Sequence, residues 1–187
     1  MSGREKPACT HRADTTLIAT DLRIQRARER DIPDIAALNN LFAPDGLTLI
    51  RTEAFVAAHL DGYLVMRDHE EILVGCVALD EYSPSLVELV SLAVAPSAQG
   101  RGLGKHLIEA ACTLATTRGY PQIFAISLAD ALFLSMGFVD SNIAHFPEKI
   151  ARYTKISRSE LSIGKKFCFV RSLSVPNQHH APVGTAQ

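Results

Sequence analysis

The chain has 187 residues, 47% of them hydrophobic, with 19 basic side chains against 20 acidic ones. That length suits one domain of about 150 residues plus tails, enough to bury a core. A net charge of −1 excludes the broad basic field of a nucleic-acid binder or a polybasic membrane-surface protein, so an anionic ligand must be met by local charge.

Residues 1–20 are polar and without period, and read as a disordered N-terminal tail. The domain is expected over 21–174, with a second disordered tail over 175–187. Leu22, Ile24 and Ala27 alternate with Arg23, Gln25 and Arg28, the pattern of an edge strand. Asp31 is placed to cap a helix, with Asp34 three residues on completing a loose capping box; Ile35, Leu38 and Phe42 mark the buried stripe. Pro44-Asp45-Gly46 is a turn, and Thr52 can cap a second helix running through Leu60 to a stop at Asp61-Gly62. Tyr63–Met66 and Ile72–Leu79 read as a hairpin, and Leu86–Val94 as the third strand of the meander. A long helix then runs to Arg118, with Leu103, Leu107, Ala110, Ala111 and Leu114 along one face and Gly119 at its C-cap. Gln122–Ser127 is a strand, Ala129–Met136 a short helix, and another strand begins at Phe138. Phe146–Ile150 opens a loop or helical turn, and Phe167–Leu173 is the last strand. This order predicts an α/β (α+β) domain, a mixed sheet with helices on both faces.

The longest apolar run, Ile72–Leu79, is too short to span a bilayer, and the N-terminus lacks a hydrophobic signal core. Cys9, Cys76, Cys112 and Cys168 have no C-x-x-C spacing, and three fall on predicted strands or helices. They read as reduced thiols of a cytoplasmic protein. The seven histidines show no ligand spacing, so no metal is expected.

One stretch stands out. The apolar strand Leu86–Val94 runs into Ala95-Pro96 and then Gln99-Gly100-Arg101-Gly102-Leu103-Gly104-Lys105 at a helix start. A helix N-terminus carries unpaired N–H groups and a partial positive charge, and glycines let an anion reach them. Arg101 and Lys105 add full charge. Two familiar phosphate loops fail on spelling: a P-loop needs glycine at Gln99 and a hydroxyl at His106, and a dinucleotide fingerprint needs glycine at Lys105. The glycines alone fit a phosphate cradle or a tight strand-to-helix turn equally.

With the strand ending Ser91-Leu92-Ala93-Val94, the spelling Gln99-x-x-Gly102-x-Gly104 resembles the acetyl-CoA motif of the GNAT acetyltransferases. Leu132-Phe133-Leu134-Ser135-Met136-Gly137-Phe138 resembles that family's aromatic-x-x-x-Gly-Phe signature, and the likeness extends over about Leu22 to Leu173. It implies a mostly antiparallel sheet of six to seven strands with helices on both faces. It also implies acetyl-CoA as co-substrate, its pyrophosphate held by residues 99–105 and its pantetheine arm by the backbone of Leu92, Ala93 and Val94. The partner would be a small-molecule amine or amino acid, with no nucleic acid or membrane and room for a homodimer.

The chemistry needs a base, because an α-amino group arrives protonated, with a pKa of about 8. Glu88 is a carboxylate inside an apolar strand; from sequence alone it is either a solvent-facing or paired charge or a buried functional one. In the N-acetylglutamate synthases a glutamate three residues before a small residue of this strand acts on the amino group, and Glu88 and Ser91 match that spacing. Many family members use a tyrosine as general acid where this chain has Phe133. Ser127 matches a hydroxyl of the glutamate-acetylating branch, or else simply caps the following helix. Phe146-Pro147-Glu148-Lys149, Tyr153-x-x-x-x-Arg158-Ser159 and Gly46-Leu47-Thr48-Leu49-Ile50-Arg51 resemble the synthases' acceptor-binding segments. The resemblance thus implies glutamate acetylation, the first step of arginine biosynthesis, with Arg51, Ser91, Lys149, Arg158 and Ser159 at the acceptor. The family's Arg-x-Ser reads Ser157-Arg158-Ser159 here, which sets Arg158 one place off. Another amine as acceptor, or a CoA-binding sensor module without catalysis, are the other readings.

Overall fold

A computed structural model of the chain describes residues 22–153 and 166–173. Both expected tails, together with Cys9, Arg158 and Ser159, lie outside the described residues. The elements are β1 (Arg23–Arg26), α1 (Ile32–Asn40), α2 (Glu53–Ala58), β2 (Tyr63–Arg67), β3 (Leu73–Ser83) and β4 (Leu86–Val94). Then come α3 (Leu103–Thr117), β5 (Gln122–Ser127), α4 (Asp130–Ser135), β6 (Val139–Ser141), α5 (Pro147–Tyr153) and β7 (Phe167–Ser172). The strands form a seven-stranded sheet in the order β1-β2-β3-β4-β5-β7-β6. Every pairing is antiparallel except β4 with β5. The mixed, mostly antiparallel sheet with helices on both faces is therefore what forms.

Strand alternation sorts side chains onto two faces. Leu64, Met66, Val74, Val77, Val87 and Leu89 pack under α3, against Leu103, Leu107, Ile108, Ala111, Cys112 and Ala115. On the other face Val65, Cys76 and Ala78 meet Ile35, Ala36 and Leu38 of α1 and Val56 of α2. The apolar stripe of α3 was expected over Ala110 and Leu114; both are only partly buried, and Ile108, Cys112 and Ala115 do more of the packing. The C-terminus of α3 closes as foreseen: Gly119 takes φ +85°. Its N–H reaches Thr116 O and that of Tyr120 reaches Ala115 O, the paired bonds of a Schellman cap.

One local expectation fails. Asp31 makes no capping bond to α1. Its carboxylate instead accepts the backbone N–H of Arg28 at 2.8 Å and pairs with the buried Arg67 of β2. A desolvated carboxylate gains more from a guanidinium than from an amide, so a partner 36 residues away wins over the local box.

The feature that shapes the molecule is in β4. Ala78 faces Val90 and Cys76 faces Ala93, so Ser91 and Leu92 together stand opposite Val77. This is a β-bulge, which bends a strand and shifts its alternation by one. Ser91 sits there at φ +53°, a conformation costing a non-glycine residue about 1–3 kcal/mol. Two buried groups hold it: the Tyr63 hydroxyl lies 3.2 Å from Ser91 Oγ, and the Cys76 thiol donates to Ser91 O at 3.4 Å. Beyond the bulge β4 no longer runs with β5. The parallel ladder covers only Val87–Leu89 against Ile123–Ala125, and the two strands part.

Candidate active site

A groove of about 730 Å³ opens where β4 and β5 separate. Its walls are Val90–Val94 on one side and Ile126–Leu128 on the other. One end is the glycine corner, lined by Gln99, Gly100, Gly102, Leu103, Gly104 and Lys105. Arg101 is exposed beside it and is not part of the wall.

The corner is built by backbone. Pro96–Ala98 form a single 3-10 turn, and the Gln99 side chain donates to Val94 O at 3.0 Å, tying the corner to the end of β4. Gly100 and Gly102 both take φ +76°, with open space where a Cβ would stand. Gly102 is the N-cap of α3; the Lys105 N–H closes onto Gly102 O at 3.0 Å, and the N–H groups of Leu103 and Gly104 precede any intrahelical acceptor. Gly104 has ordinary helical backbone, and a Cβ there would touch only Leu132, at 3.5 Å. The tight turn accounts for two of the glycines, since positive φ favours glycine at 100 and 102, while Gly104 has no such backbone need. Such a corner fits a pyrophosphate, with Lys105 supplying charge.

The other end belongs to side chains from distant segments. Glu88, before the bulge, points to the α1 and α5 side of the sheet with Phe124, Phe146 and Cys168 around it. It is 3% exposed, so it is the buried charge rather than the solvent-facing one. Two groups meet it, both on Oε2: Lys149 Nζ at 2.7 Å and the Tyr82 hydroxyl, which donates at 2.8 Å. Oε1 accepts no hydrogen bond among the described residues. Burial pushes the Glu88 carboxyl above the usual carboxylate range, against the opposing pull of Lys149 and Tyr82. Burial pushes the Tyr82 phenol up as well, reinforced by Glu88 and Asp80, so it stays protonated and donating.

Asp80 lies directly across the β3–β4 ladder from Glu88. Like charges so placed repel, and α5 answers both. Lys149 takes Glu88, while Arg152, three residues on along α5, pairs with Asp80 at 2.8 Å and covers the Tyr82 ring, 3.8 Å from its centroid.

Arg51 also lines the groove. The loop that carries it is clipped to α1: Asn40 exchanges two 2.8 Å hydrogen bonds with the Arg51 backbone, and Asn39 donates to Leu49 O at 2.7 Å. Its guanidinium lies over Phe55, 4.1 Å from the ring centroid, and its Nε is buried without a partner. Ser91 lines the same wall. Ser127 Oγ accepts the Ala129 N–H at 3.1 Å and also lines the groove, so it braces the following turn with its own O–H proton still available to donate. Phe133 is buried at the floor. Arg158 and Ser159 lie outside the described residues.

The sequence reading missed three groups: Tyr82, Arg152 and Lys166. Lys166 precedes β7 and lines the groove. The alternation Lys166, Cys168, Val170 was the available signal, since Cys168 and Val170 pack on the Glu88 face.

Residues 29–138 match the model of the acetyltransferase (GNAT) family. An uncharacterized N-acetyltransferase of Chlorobaculum tepidum is 29% identical over 134 residues, 72% of this chain and 86% of that protein. The amino-acid acetyltransferase of Neisseria meningitidis is 31% identical over 127 residues, 67% of this chain. Among solved structures, N-acetylglutamate synthase from Neisseria gonorrhoeae, complexed with coenzyme A and N-acetyl-glutamate, matches with a TM-score of 0.74 at 28% identity over 83% of this chain. The chain spans 29% and 36% of the length of those two Neisseria proteins.

Proposed function

The chain belongs to the GNAT acetyltransferase family, and we propose that its acceptor is the α-amino group of L-glutamate or a close acidic α-amino acid. The observation that carries this reading is a buried carboxylate, Glu88, in a groove end whose other charged side chains among the described residues, Arg51, Lys149 and Lys166, are all cationic. Lys149 offsets Glu88. Arg51 and Lys166 make no ion pair among the described residues, which leaves two positive charges for two carboxylates.

Each role follows from local chemistry. Acetyl-CoA supplies the activated acetyl group. The N–H groups of Gly102, Leu103 and Gly104, with Lys105, hold its pyrophosphate, and the edge of β4 from Leu92 to Val94 holds its arm. Glu88, through Oε1 or one water, takes the ammonium proton that must leave before the nitrogen can attack. Its raised pKa makes it a stronger base than an exposed carboxylate. Backbone N–H groups at the bulge meet the negative charge that develops on the carbonyl oxygen. The sulfur leaves as a thiolate, steadied by a hydrogen bond from the Ser127 hydroxyl, and takes up the second proton that the nitrogen sheds as the amide forms. Arg51 grips a carboxylate with its planar fork, and Ser91 bounds the acceptor side.

The product, an N-acetylated acidic amino acid, would supply arginine biosynthesis. We place the reaction in the cytoplasm, in keeping with three buried free thiols, Cys76, Cys112 and Cys168. Among the described residues no helix is long and apolar enough to cross a membrane.

The test is a thiol-release assay with acetyl-CoA and a panel of amino acids and amines. Turnover should be highest with L-glutamate and lower with glutamine. A polyamine, an aminoglycoside or a lysine peptide acetylated far faster than glutamate overturns the acceptor and leaves the acetyltransferase standing. No turnover with any amine, alongside tight CoA binding, would point to a sensor module.

A further inference from the structure

Among the described residues, Lys166 is the cation of the groove that no sequence motif marks. It stands one residue before the β5–β7 ladder, whose last pair is Ser127 with Phe167. Two residues before Cys168, it continues the alternation of β7 onto the Glu88 face. It is half-buried, lines the groove, and makes no hydrogen bond or ion pair among the described residues. Burial, then Lys149 and more weakly Arg51, lower its pKa, while Glu88 opposes them. A desolvated cation among other cations is unfavourable unless an anion joins it.

Arg51 and Lys166 enter the groove from different sides. The Arg51 loop is clipped to α1, which packs on β2 and β3. Lys166 leads into β7, which lies beyond β5 from the Glu88 strand. An acceptor with its amine at Glu88 can therefore reach one cation with each carboxylate. The α-carboxylate shares a carbon with the reacting nitrogen, so its orientation must be fixed, which suits the two parallel donors of an arginine. The side-chain carboxylate sits on a flexible arm, which suits the compact point charge of a lysine.

We propose that Lys166 binds the side-chain carboxylate of the acceptor and separates glutamate from glutamine. This rests on the acidic-acceptor reading above, and it names the residue that makes the acceptor acidic rather than merely an amino acid.

The experiment compares the wild type with Lys166→Met, which keeps the apolar stem, and with Lys166→Arg, which keeps the charge. The readouts are kcat/KM for L-glutamate and for L-glutamine, with the Kd for CoA as the check on folding. Lys166→Met should lose at least about tenfold on glutamate and less than about threefold on glutamine, with CoA binding unchanged. Lys166→Arg should recover most of the loss on glutamate. An equal loss on both substrates means that Lys166 serves the α-carboxylate or the fold, and overturns the proposal. An unchanged glutamate-to-glutamine ratio overturns it as well. If the wild type itself prefers an amine with no second carboxylate, the acidic-acceptor reading falls and takes this inference with it. A wild type that prefers glutamate with an indifferent Lys166→Met sinks the inference alone.

Discussion

The two ends of the groove are made of different materials. The glycine corner is one continuous stretch from Gln99 to Lys105 at the start of α3. The other end takes Arg51 from the α1–α2 loop, Tyr82 from β3, Glu88 from β4, Lys149 from α5 and Lys166 from the start of β7. On the function proposed above, the corner meets what every CoA donor shares, a phosphate, through backbone, and changes only when its glycines change. A side-chain site can be retuned one residue at a time. One family can thus keep its acyl donor while its acceptors diverge.

The sharpest break in this comparison is Glu88→Gln. It keeps the shape and removes the proton acceptor, so kcat near neutral pH should fall by a factor of roughly 10² to 10⁴. The Kd for CoA should not move, because the corner shares no side chain with Glu88. Activity within about twofold of wild type would make Glu88 a structural charge.

Next is Arg51→Ala, expected to cost about 2 kcal/mol, roughly thirtyfold, in kcat/KM for glutamate. Titration of CoA into this variant should match the wild type. Weaker CoA binding would show that the two ends are not separable.

The reciprocal test is at the corner. Gly102 is a poor choice, since its φ of +76° strains any side chain whatever its effect on the ligand. Gly104→Val carries no such strain, and its Cβ meets only Leu132. It should raise the Kd for CoA about tenfold, about 1.4 kcal/mol, with the melting temperature held. Unchanged affinity in the folded variant would remove the corner from the donor site.

The gentlest probe is pH. In its proposed role as base Glu88 acts as the carboxylate, so kcat/KM should rise with pH through a limb lying above the usual carboxylate range, because burial raises that pKa. Tyr82 donates to the charged form and holds the pKa down. Tyr82→Phe should therefore move the limb to higher pH, and Lys149→Met should move it further, Lys149 being the larger opposing influence. A limb that stays in place in both variants means that Glu88 does not set it.

The sequence by itself determined whatever is made by neighbours along the chain. The glycine corner, the cap at Gly119 and the Leu103, Leu107 and Ala111 part of the α3 stripe each need residues within a few positions of one another, so spacing alone reveals them. The family's spelling added Glu88, Arg51 and Lys149, though not their relations. Only the tertiary structure decided that Lys149 and Glu88, 61 residues apart, would share a proton-holding contact, and that Tyr82 would complete it. The same holds for Asp31, which leaves α1 uncapped and takes Arg67 from β2, and for the bulge at Ser91, held by Tyr63 and Cys76 from two other strands. Lys166 gains its meaning from the alternation of β7, the strand whose register against β5 carries it to the Glu88 face. Local patterns encode backbone geometry because backbone bonds span a few residues. A buried charge instead takes its partner from whichever strand or helix folding brings within about 3 Å, and no spacing in the chain records that distance.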